Sequence, residues 1–150
     1  MAEVLFYHLT ESRLEEALPD LLERSLKRGW RVVVQAMTAE RRDALDHHLW
    51  VFRDDAFLPH GTDAESNGAL QPILLTIDPS QRANDAHVRF MVEGAVPATL
   101  DGYERGVYLF DGHDTEQLGS ARSRWKVEKD AGHAVTYWQQ SEDRRWVKKA

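Results

Sequence analysis

Residues 4–36 read VLFYHLTESRLEEALPDLLERSLKRGWRVVVQA, with two short apolar runs on either side of an amphipathic segment. The runs at 4–8 and 31–36 have the length and the β-branched or aromatic content of buried strands. Between them, five leucines fall at helical spacing on one face: Leu14, Leu18, Leu21, Leu22 and Leu26. This pattern predicts a strand, a helix and a second strand.

Signals at the helix ends support this prediction. Ser12-Arg13-Leu14-Glu15 matches the capping-box pattern, and Gly29 is typical of the residue that follows a helix. Thr38 is expected to cap a second helix that continues through Trp50. The first half of the chain therefore alternates strands with helices.

The second half continues the alternation. Apolar runs predict further strands at 72–77, 88–92, 106–110 and 134–138. Asp114, with Gln117 three residues later, is expected to cap a last helix that ends near Asp130, before Gly132. Apolar strands separated by amphipathic helices predict a single-domain α/β fold with a mostly parallel sheet and helices on its faces.

Composition limits the class of protein. The length of 150 residues fits one domain, and the absence of cysteine excludes a disulfide framework, a thiolate zinc site and a cysteine nucleophile. No basic leader precedes the first apolar run, and no segment approaches the ~20 apolar residues of a membrane helix. We expect a soluble, cytoplasmic protein with an α/β domain at 1–140 and an extension at 141–150, which is mobile unless Trp146 docks it.

Charge is distributed unevenly along the chain. The net charge is -6, which argues against broad binding to the DNA backbone. Residues 1–115 carry 11 basic and 20 acidic side chains, whereas residues 116–150 carry 8 basic and 5 acidic ones. The basic last quarter suits a small acidic ligand or peptide better than a nucleic-acid duplex.

Motifs of common nucleotide-binding and hydrolytic sites are absent. The sequence has no G-x-x-x-x-G-K-[ST], no G-x-G-x-x-G after the first strand, no G-x-S-x-G and no H-E-x-x-H. His47, His48 and His60 lie near carboxylates and can be read as a metal site. However, adjacent helical residues point about 100° apart, so a third group from the loop is needed. The pattern assigns no ligands and predicts no cofactor.

Large apolar side chains occur where the second helix runs into a long loop at 54–71. Trp50 and Phe57 require cover, either from the core of the domain or from a partner protein. Helical periodicity favours the core, whereas aromatic residues also dominate interface hot spots. Composition leaves both interpretations open.

A basic stripe marks the predicted last helix. Arg122, Lys126 and Lys129 recur at spacings of four and three, so they share one face, and Arg124 and Trp125 lie beside them. The stripe is either a solvated basic face or a pocket in which the cations hold a carboxylate and Trp125 supplies an apolar wall. Tyr137-Trp138 on the closing strand would extend that wall. Such a pocket would suit a peptide C-terminus.

Short motifs follow one another in a recognisable order over nearly the whole chain. They are Phe6-Tyr7, Leu45-Asp46 with Leu49-Trp50, Phe57-Leu58-Pro59-His60-Gly61, Ala121-Arg122-Ser123-Arg124-Trp125-Lys126, and Ala131-Gly132. Together they resemble the chi subunit of bacterial DNA polymerase III. Each motif is short, and their joint order and spacing carry the resemblance.

The resemblance implies a non-catalytic adaptor of the bacterial replicase with a Rossmann-like, three-layer fold and no nucleotide site. It implies two partners: the acidic C-terminal tail of single-stranded DNA-binding protein, and the psi subunit or another clamp-loader or repair protein. Neither a membrane nor direct nucleic-acid contact is expected. Carried over by position, Trp50, Phe57 and Pro59 belong to the psi-facing surface, and Arg122, Trp125 and Lys126 belong to the tail pocket, where the family often has Tyr at the position of Trp125.

Other functions remain open at this point. A small α/β hydrolase or nucleotide-using enzyme would need a deep pocket lined by His47 or His60 with carboxylates in hydrogen-bond reach. The extension after Trp138, which is longer than in the familiar pattern, either adds charge near the tail pocket or is a mobile end. Its basic residues are Arg144, Arg145, Lys148 and Lys149.

Overall fold

One mixed sheet organises the chain in the computed structural model, which describes residues 1–52, 58–65 and 67–150. Within these residues the elements follow one another as β1 (Glu3–Leu9), α1 (Leu14–Lys27), β2 (Val32–Gln35), α2 (Ala39–Val51), β3 (His60–Thr62), β4 (Ile73–Thr76), β5 (Val88–Val92), β6 (Arg105–Asp111), α3 (Thr115–Asp130), β7 (Ala134–Gln140) and β8 (Trp146–Lys148). The strands lie in the order β3-β4-β2-β5-β6-β1-β7-β8.

The predicted fold class is confirmed. Neighbouring strands are parallel throughout the sheet except for β7 and β8, which are antiparallel. Helices α1 and α2 pack on one face, and α3 packs on the other, which makes three layers. None of the helices in the described ranges is long and apolar enough to span a bilayer.

The central strands are apolar on both faces because both faces are covered. Val32, Val33 and Val34 of β2 have no exposed surface. On the first face, the leucine stripe of α1 meets Leu45 and Leu49 of α2. On the second face, Ala121 and Trp125 of α3 join a core with apolar residues of the loops before β5 and β6. The apolar helix faces and strands that the sequence pattern predicts are thus buried in the structure.

Most of the predicted helix ends are confirmed. The Thr38 side chain accepts a hydrogen bond from the Arg41 N–H, and Asp114 Oδ1 accepts from two N–H groups of the first turn of α3. Gly29 and Gly132 follow α1 and α3 with φ of +80° and +89°, which favours glycine.

The predicted capping box of α1 is wrong by one residue. Arg13 is the N-cap, and its N–H donates to Glu16 Oε1 at 3.1 Å. Ser12 is turned away because its hydroxyl accepts from Gln140 Nε2 at 3.0 Å, at the end of β7. A partner 128 residues away therefore overrides the local pattern.

Two short strands lie where no strand was predicted. The predicted loop at 54–71 contains β3 and a 3₁₀ turn at Gly68–Leu70 in its described part. The extension at 141–150 contains β8, and Trp146 docks with its ring centroid 4.5 Å from that of Tyr7. The end of the chain is thus held against the sheet.

Arg89, on β5, has no exposed surface. Its guanidinium donates five hydrogen bonds to four oxygens: Gln35 Oε1 (3.1 and 2.9 Å), Gln81 O (2.7 Å), Asp78 O (2.7 Å) and Tyr103 Oη (3.2 Å). Two of these oxygens are loop carbonyls between β4 and β5. The guanidinium therefore fixes the irregular segments that cover the second face of the sheet beside α3.

Candidate partner-binding sites

The basic stripe of α3 faces solvent. Arg122 and Lys126 are exposed, and neither forms an ion pair with a carboxylate in the described parts of the chain. Trp125 is half-buried between them, with its ring centroid 5.4 Å from that of Phe6 and 6.0 Å from that of Tyr137. Two cations without an internal partner thus flank an aromatic surface.

Tyr137 connects this aromatic surface to β1. Its hydroxyl lies 2.7 Å from His8 Nδ1, which accepts the hydroxyl proton when His8 carries its own proton on Nε2. Burial lowers the pKa of His8, and His113 and Arg122 lower it further, while Asp111 opposes them. The ring therefore stays neutral at pH 7, and the exposed cations of α3 supply the positive charge here.

Arg122 is also close enough to Tyr137 to act on it electrostatically. Burial raises the pKa of the Tyr137 hydroxyl, and the nearby Arg122 guanidinium opposes that shift. Gly112 is required beside the same cluster because a Cβ at this position would collide with the His8 ring. Arg122, His8 and Tyr137 consequently form one connected surface. We call the surface of Arg122, Trp125, Lys126 and Tyr137 the α3 surface.

Two residues expected near the α3 surface lie elsewhere. Trp138 points to the opposite face of the sheet, where its ring centroid is 6.4 Å from that of Tyr7, so it does not extend the wall. Arg124 turns inward, and it donates to Tyr108 Oη at 3.1 Å and to the buried Glu128 at 2.7 Å. Arg124 therefore anchors α3 to β6 and is not available to a ligand.

Trp50 lies on the surface at the C-terminal end of α2. Its side chain is 52% exposed, and its ring centroid lies 4.4 Å from that of His60 on the edge strand β3. The interpretation of Trp50 as a core residue is thus wrong. The core position at this end of α2 belongs to its neighbour Leu49, which is 1% exposed. Pro59 is half-buried nearby, and Phe57 lies outside the described residues.

Replacing Trp50 with alanine should change the free energy of unfolding by about 1 kcal/mol or less, because a half-exposed ring loses little burial. Leu49→Ala is the matched control, and it should cost about 2–5 kcal/mol because Leu49 fills the core. Urea unfolding followed by tryptophan-independent circular dichroism compares the two variants. Equal losses would contradict the surface assignment of Trp50.

The histidines of this region do not gather into one site. His47 is exposed, and His48 Nε2 lies 2.6 Å from the carbonyl oxygen of Glu15. Both ring nitrogens of the buried His60 face backbone carbonyls, Leu58 O at 2.6 Å and Asp46 O at 3.0 Å. A metal would have to break these contacts. In the parts of the chain that the structure describes, no three His, Cys, Asp or Glu residues are placed to hold a metal ion.

Comparison with known proteins identifies the family. A sequence model described as the DNA polymerase III chi subunit, HolC, matches residues 1–136. The chain belongs to this chi family. Over 92 residues it is 26% identical to the probable DNA polymerase III subunit chi of Rickettsia prowazekii (strain Madrid E). That match covers 61% of the chain and 55% of the relative, so the chain spans about half the length of the relative it matches.

Family membership confirms the resemblance seen in the sequence. The match includes α2 and α3, on which the two candidate surfaces lie, and it ends inside β7. Strand β8 is outside the matched region. The contributions of β8 must therefore be derived from this chain's own geometry.

A cavity of about 390 Å³ in this chi-family chain lies where Rossmann-like folds bind nucleotides, at the carboxyl ends of β1 and β6. The N–H groups of the β1–α1 turn already have an acceptor. Those of Thr10, Glu11 and Ser12 donate to Gln140 Oε1 at 3.3, 3.1 and 3.0 Å. Phosphate would need these donors, so the side chain of Gln140 fills the anion position itself.

The lining of this cavity also disfavours phosphate. Its carboxylates include Glu11, Glu15, Glu93 and Asp111, and neither His47 nor His60 lines it. In the described parts of the chain, this cavity is therefore not the His47 or His60 pocket that the enzyme alternative requires. Sequence patterns did not reveal the role of Gln140, because a single glutamine at the end of a strand has no local signal.

Proposed function

We propose that this chi-family protein is a non-catalytic adaptor of the DNA polymerase III holoenzyme that binds the acidic C-terminal tail of single-stranded DNA-binding protein. The observation that carries the proposal is the α3 surface, where two cations without ion-pair partners among the described residues flank half-buried aromatic side chains. An acidic tail that ends in an apolar residue and a free carboxylate is complementary to it. Carboxylates bind the cations, and the apolar side chain packs against Trp125.

The adaptor role also includes a clamp-loader partner, the psi subunit or an equivalent protein, at Trp50, Pro59 and Phe57. The exposed Trp50 beside edge strand β3 supports this part, because a large aromatic residue in a surface position is the kind of side chain that anchors an interface. Six strand positions separate β3 from β7 in the sheet order. At about 4.8 Å per strand, the two surfaces lie roughly 30 Å apart, so both partners can bind at once.

Fluorescence anisotropy of a labelled acidic tail peptide, titrated with this protein at low and high salt, tests the tail interaction. We expect saturable binding that weakens with salt, because exposed charges are screened over a Debye length of about 8 Å at physiological ionic strength. Amidating the terminal carboxylate should weaken binding, since it removes the group that the cations hold. Absence of binding at high micromolar protein would overturn the tail interaction and leave the family assignment unchanged.

A further inference from the structure

Strand β8 has a defined orientation relative to the α3 surface. It pairs antiparallel with β7, with Gln140 opposite Trp146 and Gln139 opposite Val147. Trp146 packs against Tyr7 on the α1 face of the sheet. Because successive side chains of a strand alternate between faces, Val147 belongs to the α3 face and Lys148, opposite Trp138, to the α1 face. Lys149 follows β8 and lies opposite Tyr137, whose side chain is on the α3 face.

Backbone hydrogen bonds hold Lys149 opposite Tyr137. The N–H groups of Lys149 and Ala150 donate to Tyr137 O at 2.7 and 3.4 Å, and the Tyr137 N–H donates to Ala150 O at 3.2 Å. Two residues thus oppose one, which is a β-bulge. The bulge ends the ladder beside the same tyrosine that contacts Trp125. Lys149 therefore lies next to the α3 surface across β7.

The described residues leave the α3 side of β8 less covered than the central strands. Helix α3 packs over β6, β1 and β7, and Val147 on β8 remains 41% exposed. Cations of α3 border one side of Tyr137, and Lys149 borders the other. Apolar side chains of Tyr137 and Val147 thus lie between positive charges that come from two separate elements.

We propose that β8 completes the tail-binding site, with Lys149 as its cation on the second side of Tyr137 and Val147 as part of its apolar surface. This inference rests on the proposed tail interaction. The occupant is the same acidic tail, because an extended chain of carboxylates that crosses this surface meets positive charge on both sides of Tyr137. The family match ends at residue 136, so this side of the site is a property of the C-terminal segment of this chain.

The test compares Lys149→Ala with Lys148→Ala in the full-length protein, by anisotropy of the labelled acidic tail peptide. Both variants lose one positive charge from adjacent positions, but only Lys149 is on the α3 face. At low salt, Lys149→Ala should raise the Kd about threefold, which is the change expected when one exposed ion pair is lost. Lys148→Ala should leave the Kd nearly unchanged. The difference should shrink at high salt. Thermal melts of both variants check that the fold is retained.

Arg122→Ala separates failure of this inference from failure of the proposed function. If Arg122→Ala weakens binding while the two lysine variants bind like the unmodified protein, the tail interaction stands and the role of β8 is overturned. Equal weakening by both lysine variants would also overturn it, since net charge alone would then explain the effect. If the unmodified protein does not bind the peptide, the proposed function fails, and the inference fails with it.

Discussion

Replacing Arg89 with methionine is expected to lower the free energy of unfolding by about 3 kcal/mol. Methionine has a similar length but no donors, so three oxygens lose the donor that Arg89 gives them in the described chain: Gln35 Oε1, Gln81 O and Tyr103 Oη. Asp78 O keeps a second donor, the Gln81 N–H at 3.2 Å. A buried acceptor without a partner costs about 1–3 kcal/mol, and the lower value applied three times accounts for the loss. For a chain of this size, the melting temperature should fall by about 10 °C.

An opposing effect limits this loss. The described residues place no carboxylate beside the Arg89 guanidinium, so burying its charge is itself unfavourable, and methionine removes that cost. The acceptors decide the outcome because Gln35 and Tyr103 are buried and, among the described residues, Arg89 is the donor to Gln35 Oε1, Tyr103 Oη and Gln81 O. Lysine at this position should also destabilise the fold, since an ammonium group cannot reproduce the planar fork of donors.

Urea unfolding measures the Arg89 effect as a shift in midpoint at constant slope. Arg122→Met is the matched control, because Arg122 is exposed and its replacement should stay within about 0.5 kcal/mol. A loss below about 1 kcal/mol for Arg89→Met would show that the desolvation cost of the charge offsets its hydrogen bonds. Arg89 would then not be the residue that fixes the loops.

Segments with a strong local pattern were predictable from the sequence. Strands β1, β2, β5 and β6 are runs of β-branched and aromatic residues that are buried on both faces, and hydrophobicity alone marks such runs. The caps Thr38 and Asp114 follow from side chains that accept hydrogen bonds from the next few N–H groups. In each case the information lies within a few residues of the chain.

Features that depend on distant partners were not predictable. Strands β3 and β8 have three residues each, too few to show the alternation of apolar and polar residues that marks a strand. They form because neighbouring strands pair with them. Ser12 follows a capping pattern, yet Gln140 takes its hydroxyl. Arg89 was assigned to the correct strand, but its acceptors lie in loops whose course the sequence does not reveal.

The candidate site shows the same division. Spacing along the helix placed Arg122 and Lys126 on one exposed face of α3, as observed. It could not show that Arg124 turns inward to Tyr108, because that contact depends on β6. Periodicity likewise favoured a buried Trp50, although its ring lies against His60 of the edge strand β3 and is 52% exposed.

Reversing the charge of Arg122 with glutamate should raise the Kd for the acidic tail peptide more than tenfold at low salt. The substitution removes one attraction and adds one repulsion beside Trp125 and Tyr137, and a tenfold change corresponds to about 1.4 kcal/mol. The fold should be retained because Arg122 is exposed and has no ion-pair partner in the described chain. Anisotropy titrations at two salt concentrations, with a thermal melt of each variant, measure both effects.

Arg24→Glu is the matched control for Arg122→Glu. Both variants change the net charge by the same amount, but Arg24 is on α1, on the opposite face of the sheet, with its side chain 66% exposed. Arg24→Glu should change the Kd for the tail peptide less than twofold. The distance from Arg24 to the α3 surface exceeds the Debye length, which is about 8 Å at physiological ionic strength. If both variants weaken binding equally, the total charge of the protein governs the interaction. If Arg122→Glu weakens peptide binding and Arg24→Glu does not, the tail binds at α3, because the local charge of that surface then determines the affinity.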